Sequence, residues 1–440
     1  MIQLIVYQFQ YSKRQWLGTI PLLFVSSLII GTSLIGMSSR STSSIATPVQ
    51  LFQMLMIFGG TTLFFLISNN TRLLIELFQK DYELWSILGA SKSQLSFLVA
   101  GQFFLMAMIV SAVGTGCSLI ITDRYYKFLQ HFLGRDELPD LMIRADVLVI
   151  LLSIFIVPTI AGMGAYFYSR RILAKDEASG SKPRRTNIRA TLTKIGSLSV
   201  CVSLWGVCVY LLMSDVSSKS IEEISLQTSV ILFLLLLHLL IIQILSPFLQ
   251  ILFIKLLMKI FPNSHYAINT GFWNLLHNPS YLKSLQTSVT MGVTLISGFI
   301  LYTQNMYVFM NNVNSIQEAR ASFIAYMSAP IALILASIIS ITILSSNQDI
   351  KDVTQLRILG MSKKQLLKMR VAEAIIHIFL ILIVSVVFNS IILFFVNYSG
   401  KLLGQELSTV SGYWLPTLIV LGLLAIFYIV TKGIYILKDR

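Results

Sequence analysis

Few side chains in this sequence could carry out chemistry, and most of those lie inside long apolar runs. His238, His377 and Glu373 fall in such runs, which contain no nucleophile next to a base and no carboxylate cluster. An ionisable side chain in an apolar run marks a polar pathway or is bonded within a helix bundle. We expect the histidines to be bonded internally and Glu373 to pair with Arg370. The pattern does not favour an enzyme, and the cysteines have no disulfide or metal-ligand spacing.

The elements that carry these residues are predicted to be membrane-spanning helices. The chain is 55% hydrophobic and only 12% charged, whereas soluble domains carry about 25% charged residues. Ten segments reach the roughly 20 residues needed to cross a bilayer, at 17–38, 51–70, 94–122, 147–168, 195–214, 228–257, 286–304, 323–346, 371–396 and 414–436. The predicted fold class is therefore an all-α polytopic membrane protein with about ten transmembrane helices.

The basic residues predict the orientation of these spans. With both termini in the cytosol, about 25 of the 33 lysines and arginines lie on the inner side and about 8 on the outer side. This excess agrees with the rule that cytosolic segments carry more positive charge. The net charge of +14 is thus explained by topology, and we expect no nucleic-acid partner.

Two further patterns predict local packing. Ser27 and Gly31 have the spacing of small residues that lets membrane helices approach closely. The outer segment 123–146 carries aromatic residues that favour a short amphipathic helix on the outer surface, namely Tyr125, Tyr126, Phe128 and Phe132.

One motif of sixteen residues occurs twice. The first repeat, KDYELWSILGASKSQL, covers 80–95, and the second repeat, KDVTQLRILGMSKKQL, covers 351–366; they agree at nine of sixteen positions without a gap. Each lies between the second and third spans of a group of four, and an even number of predicted spans separates them. Both therefore face the cytosol, where a parallel repeat offers equivalent docking points to a two-fold symmetric partner.

Each repeat is predicted to form a short helix, a sharp turn and a new helix. Apolar residues recur at helical spacing before each turn: Leu84, Ile87 and Leu88 in the first repeat, Leu356 and Leu359 in the second. Gly89 and Gly360 follow, at the position where a helix ends in a left-handed residue. Ser91 and Ser362 can cap the next helix. The alternative is that each repeat is only a well-formed connecting loop.

At these residues the chain resembles a known family. ELWSILGASKSQL and QLRILGMSKKQL are similar to the cytosolic motif of FtsX-like (MacB-type) permeases of ABC transporters. Segment 272–284, FWNLLHNPSYLKS, resembles the amphipathic helix that precedes the first span of such modules, and 7–16 is a weaker counterpart. The plan of four, two and four spans is similar to Bce-type permeases, but the chain lacks their large extracellular domain. Thr354 also replaces the acidic residue found at Glu83.

The resemblance implies a domain plan and a location. It predicts a first four-span module at 1–170, a basic linker at 171–192, two linking spans at 193–262 and a second four-span module at 263–440. The two modules are parallel. The implied location is the bacterial cell membrane, as a multi-pass protein in the lipid bilayer.

The resemblance also implies that two copies of a separate ABC ATPase dock on one chain. The sequence contains no G-x-x-x-x-G-K-[ST] loop, so ATP and magnesium are expected on the partner and no cofactor in this chain. The implied coupling residues are those of the two repeats: Lys80, Asp81, Glu83, Leu84, Ile87, Leu88, Gly89 and Ser91, and Lys351, Asp352, Leu356, Ile358, Leu359, Gly360 and Ser362.

The expected function is ATP-coupled export or expulsion of a hydrophobic or amphipathic substrate, with a peptide as the favoured class. One alternative is a permease that moves nothing and transmits the ATPase cycle to a partner such as a sensor protein. A second alternative is an ATP-independent transporter, but the predicted spans contain no pair of carboxylates for a coupling ion.

Overall fold

In the computed structural model almost all of the described residues are helical. The structure describes residues 7, 16–41, 47–78, 84–85, 87, 89–133, 138–143, 146–176, 188–213, 221–260, 266–277, 279–306, 313–402, 418, 421–422, 425–426 and 429–430. After a 3-10 turn at Leu17–Thr19, the helices are α1 Ile20–Ser38, α2 Thr47–Leu77, α3 Lys92–Leu133, α4 Val147–Asp176, α5 Ile188–Met213, α6 Ile221–Ile260, α7 Tyr266–His277, α8 Pro279–Met306, α9 Val313–Ile358 and α10 Lys363–Leu402. Strands β1 Arg40–Ser41 and β2 Leu141–Met142 form one short antiparallel pair.

The described helices confirm an all-α polytopic membrane protein. Seven are long and apolar enough to cross a membrane: Leu17–Ser38, Val49–Ile75, Ser93–His131, Val147–Arg170, Gly196–Met213, Ile324–Leu344 and Lys363–Tyr398. Helix α6 adds an eighth span if its two parts, which meet at 55°, are counted together. These match eight of the predicted spans. The predicted span 286–304 lies within α8, and most of 414–436 lies outside the described residues.

Contacts within the chain divide it into two compact units. The first consists of Met1–Arg185 with Arg320–Leu344, and the second of Thr186–Ala319 with Ser345–Arg440. The sequence modules are defined by the repeat and not by these contacts, so their boundaries stay a prediction. At the ends of the predicted linker the chain is helical up to Asp176 and again from Ile188, and 177–187 lies outside the described residues.

In the first unit, α1 and α3 cross at small residues. An added Cβ at Gly31 would overlap the Ser118 side chain, and one at Gly114 would overlap Ser27. The glycine of each helix therefore faces the serine of the other, which lets the two backbones approach closely. This confirms the close packing predicted for Ser27 and Gly31 and identifies α3 as the partner helix.

Part of α9 belongs to this first unit. The Ser340 hydroxyl accepts a hydrogen bond from the Leu22 backbone N–H at 3.1 Å. That N–H lies in the first turn of α1, where no intrahelical acceptor exists. Further along α9, the Ala325 carbonyl accepts a bond from the Tyr125 hydroxyl at 3.0 Å. Helix α9 thus contacts α1 and α3 through bonds formed between residues distant in sequence.

The prediction of a separate surface helix in 123–146 was wrong. Helix α3 continues without a break to Leu133. Tyr126 is 3% exposed, stacks on Phe52 at 6.2 Å and donates to the Pro139 carbonyl at 2.6 Å. The hydroxyls of Tyr125 and Tyr126 thus bond inside the unit, because neighbouring elements supply acceptors for them, whereas Phe128 is 47% exposed.

The second unit is organised around α8, where every residue from 286 to 300 is buried. His377 Nδ1 lies 3.3 Å from Gln286 Oε1, and the Asn389 amide donates to the Ser297 hydroxyl. Polar side chains therefore pair across the α8–α10 interface. His238 accepts from the Trp205 indole N–H at 3.3 Å. Both histidines are bonded within the bundle, as predicted.

Candidate functional site: the two repeated turns

The first repeat ends its short helix at Gly89, as predicted. Trp85 and Ile87 are helical, and Gly89 has a φ of 92°, in the left-handed region. The Ala90 N–H then donates to the Trp85 carbonyl at 3.1 Å. This bond spans five residues and is the hallmark of the Schellman motif, which satisfies carbonyls at a helix C-terminus.

The second repeat forms the same turn. Gly360 also has a φ of 92°. The Met361 N–H donates to the Leu356 carbonyl at 3.0 Å, and the Gly360 N–H donates to the Arg357 carbonyl at 2.9 Å. Both bonds of the Schellman motif are thus present. Leu356 occupies the position of Trp85, so the two copies use equivalent backbone atoms.

A reciprocal cap starts the next helix in each repeat. The Gln94 N–H donates to the Ser91 hydroxyl at 3.3 Å, and the Ser91 N–H donates to the Gln94 side-chain oxygen at 3.0 Å. The corresponding distances between Ser362 and Gln365 are 3.4 Å and 2.8 Å. This arrangement is a capping box, and it confirms the capping role predicted for both serines.

The glutamines of these caps were not among the predicted site residues. Gln94 and Gln365 are shared by both copies of the motif, but their role was not inferred from the sequence. The available signal was the spacing S-x-x-Q immediately before an apolar helix, which is the signature of a capping box.

Each turn has a buried base and an exposed tip. Leu366 of the second repeat packs with Val353 and Met369 in a buried cluster, and Leu95 is the buried equivalent in the first. At the tip, Ile87 is 83% exposed and Ile358 is 80% exposed. Both copies therefore have an isoleucine at the same position, and most of its side-chain surface is free of contacts with its own unit.

Some of the other predicted coupling residues lie in the described turns, and the rest lie outside the described residues or have side chains that are not described. Leu84 and Leu359 are also exposed, whereas Leu356 is half-buried against the cluster of the second repeat. Lys351 and Asp352 lie in α9, with side chains outside the described set. The remaining predicted residues lie outside the described residues altogether: Lys80, Asp81, Glu83 and Leu88.

A buried ion pair lies just beyond the second repeat. The Arg370 guanidinium donates to Glu373 at 2.7 Å, with side chains 3% and 1% exposed. This confirms the predicted pairing. The second carboxylate oxygen of Glu373 accepts a bond from the Asn274 amide at 2.6 Å, which joins α10 to α7. The sequence did not predict this third member.

Replacing either turn glycine by alanine is expected to destabilise its turn by about 1–2 kcal/mol, because an L residue is strained in the left-handed region. No atom lies within 4 Å of a Cβ added at Gly89 or Gly360, so the effect comes from the backbone alone. Faster hydrogen exchange across the altered repeat would report it. Gly60→Ala in α2, also open to an added Cβ, is the control and should leave exchange in both repeats unchanged.

No protein-family model matches this chain, and no curated protein matches it in sequence. The described side chains of the two turns include no acid–base or nucleophilic pair, and each turn exposes an apolar tip.

Proposed function

We propose that this chain is the permease subunit of an ABC-type transporter, and that one copy of a separate ATPase docks on each repeat. The observation that carries the proposal is the duplication of one turn. Both copies place a left-handed glycine, a capping box and an exposed isoleucine at equivalent positions. Turns that only connected helices would not need to present the same tip. A two-fold symmetric partner, by contrast, needs two equivalent docking surfaces.

The chemistry of the tip suits docking into a pocket. An exposed isoleucine on a turn with satisfied backbone bonds loses little conformational freedom on binding, which preserves more of the binding energy. Ser91 and Ser362 lie immediately before the first residues of the long helices α3 and α10. A force applied to either tip would therefore act directly on the end of a membrane helix.

The coupled process is export or expulsion of a hydrophobic or amphipathic substrate across a bacterial cell membrane, with a peptide as the favoured class. ATP and magnesium bind the ATPase. Support comes from the family resemblance of the two repeats and from the high apolar content of the chain.

The test uses the purified chain in lipid vesicles with the ABC ATPase that co-purifies with it from its native host. Ile87→Asp and Ile358→Asp, combined, are expected to lower substrate-stimulated ATP hydrolysis at least tenfold, because a buried unpaired carboxylate opposes docking by several kcal/mol. Ile87→Val and Ile358→Val keep an apolar tip and should retain activity.

Unchanged stimulation in the aspartate variant, with normal membrane insertion, would contradict the proposal. The mass of the intact complex gives a second readout, expected at one permease to two ATPases. If hydrolysis is stimulated but labelled peptide does not move, the chain transmits the ATPase cycle to a partner without transport.

A further inference from the structure

Helix α7 is attached to α10 immediately after the second repeat. Phe272 and Leu275 of α7 are buried with Ile376 and Leu380 of α10. Gly271 lies beside the stem of Glu373, where an added Cβ would be in ordinary van der Waals contact, 3.4 Å from Glu373 Cγ. Helix α7 therefore packs against α10 next to Glu373, with apolar contacts one and two turns beyond this carboxylate.

Glu373 bridges the two helices inside this contact. One carboxylate oxygen accepts from Arg370 of its own helix at 2.7 Å, and the other accepts from Asn274 of α7 at 2.6 Å. Glu373 is 0% exposed. A hydrogen bond to a charged group contributes about 1.5–3 kcal/mol, more than a neutral one, so α7 is held firmly to α10.

The bridge formed by Glu373 lies close to the second repeat along α10. Glu373 lies ten residues after Lys363, the first residue of α10, or about 15 Å along the helix. On the other side, only Asn278 separates α7 from α8. A displacement of the second repeat thus has a short path through α10, Glu373 and α7 to the start of α8.

The first module has a different contact at the equivalent place. In the register of the repeats, Gln102 of α3 occupies the position of Glu373, and Val99 that of Arg370. Next to Gln102, Phe103 packs edge-to-face on Trp16 with ring centroids 4.9 Å apart. Trp16 also stacks on Phe78 at 5.9 Å and is 0% exposed.

Trp16 and α7 occupy equivalent places along the chain, each before the first helix of its module. It directly precedes the 3-10 turn and α1, as α7 precedes α8. In both modules, therefore, the segment before the first span packs on the helix that follows the repeat. The contact is aromatic in the first module, and in the second it includes a hydrogen bond from an asparagine amide to a carboxylate.

We propose that Glu373 is a positioning residue that carries movement of the second repeat to α7 and so to α8, and that Trp16 does the same for α1 at the first repeat. This inference rests on the proposed docking of an ATPase at the repeats. It adds that each docking event moves two helices of a module together, and that the two modules use different chemistry to do so.

The test is hydrogen exchange of the purified chain in lipid nanodiscs. Asn274→Leu removes the bond to Glu373 but keeps the Arg370–Glu373 pair, so the chain should still fold. Backbone amides of 266–277 are expected to exchange about tenfold faster, while those of 369–380 stay protected. Gln102→Leu, at the equivalent place of the other module, is the matched control and should leave exchange of α7 unchanged. Unchanged exchange in Asn274→Leu would overturn the bridge.

A second arm measures coupling with the ATPase present. Asn274→Leu is expected to lower stimulated hydrolysis about threefold to tenfold, and Trp16→Leu to act similarly through α1. Faster exchange of α7 with full stimulation would overturn the relay. Full stimulation in the combined Ile87→Asp and Ile358→Asp variant would instead overturn the docking proposal, whatever α7 does, so the two failures are distinguishable.

Discussion

Replacing Glu373 by glutamine is expected to destabilise the folded chain by about 3–5 kcal/mol, the usual effect of removing one partner of a buried ion pair. The Arg370–Glu373 pair has an N–O distance of 2.7 Å, and its side chains are 3% and 1% exposed. Glutamine keeps the size of the side chain but leaves the guanidinium charge uncompensated in a medium of low dielectric constant.

A double variant separates the charge effect from the packing effect. Arg370→Met combined with Glu373→Leu removes both charges and keeps apolar volume, and it should recover most of the loss because no buried charge remains. Its residual deficit is expected near 1.5 kcal/mol, the lower end of the contribution of a hydrogen bond to a charged group, because the bond to Asn274 is also lost. A double variant as unstable as Glu373→Gln would contradict the electrostatic explanation.

The matched control is an ion pair of the same length on α3. Lys127 and Asp123 also lie 2.7 Å apart, but their side chains are 68% and 45% exposed. Asp123 lies about 45 Å from the start of α3, beyond the roughly 30 Å of a hydrocarbon core. Asp123→Asn should therefore change stability by less than about 1 kcal/mol. Thermal unfolding followed by labelling of Cys201 and Cys208, both buried in the folded chain, measures all three variants.

The second large effect is expected at the crossing of α1 and α3. Gly114→Leu should destabilise the first unit by about 3 kcal/mol, since overpacking forces side chains off their rotamers or displaces the backbone. An added Cβ at Gly114 already overlaps the Ser27 side chain and approaches the Phe24 carbonyl. The larger leucine has no free space to occupy there.

Two further variants test this explanation directly. Gly116→Leu lies two residues along the same helix, where no atom is within 4 Å of an added Cβ, and it should be close to neutral. Exchanging the small residues across the crossing, Gly31→Ser with Ser118→Gly, should recover most of the loss caused by Gly31→Ser alone. Thermal unfolding of the purified variants gives the comparison, and no recovery in the exchange would argue against direct contact as the cause.

The turns of the two repeats could be predicted in detail because they depend on neighbouring residues. The left-handed glycine, the Schellman bond and the capping box each involve residues no more than five apart. The Arg370–Glu373 pair was predictable for the same reason, since its members are one helical turn apart. The spans were predictable because the bilayer requires a minimum length of apolar helix.

The close approach at Ser27 and Gly31 was predictable only in part. Small residues four apart indicate that a helix packs tightly, but they do not name the partner. The structure identifies Gly114 and Ser118. That partner is decided by the way α1 and α3 fold together, which no local pattern encodes.

By itself, then, the sequence determined the membrane-spanning class of the chain, the positions of most spans and the shape of both repeated turns. Only the tertiary structure decided that Asn274 binds Glu373 across 99 residues and that Ser340 binds Leu22 across 318. It also decided that α3 continues to Leu133 instead of ending before a surface helix. The physical reason is the range of the interactions: local bonds and hydropathy can be read along the chain, whereas buried polar groups take whichever partner the packed helices bring near.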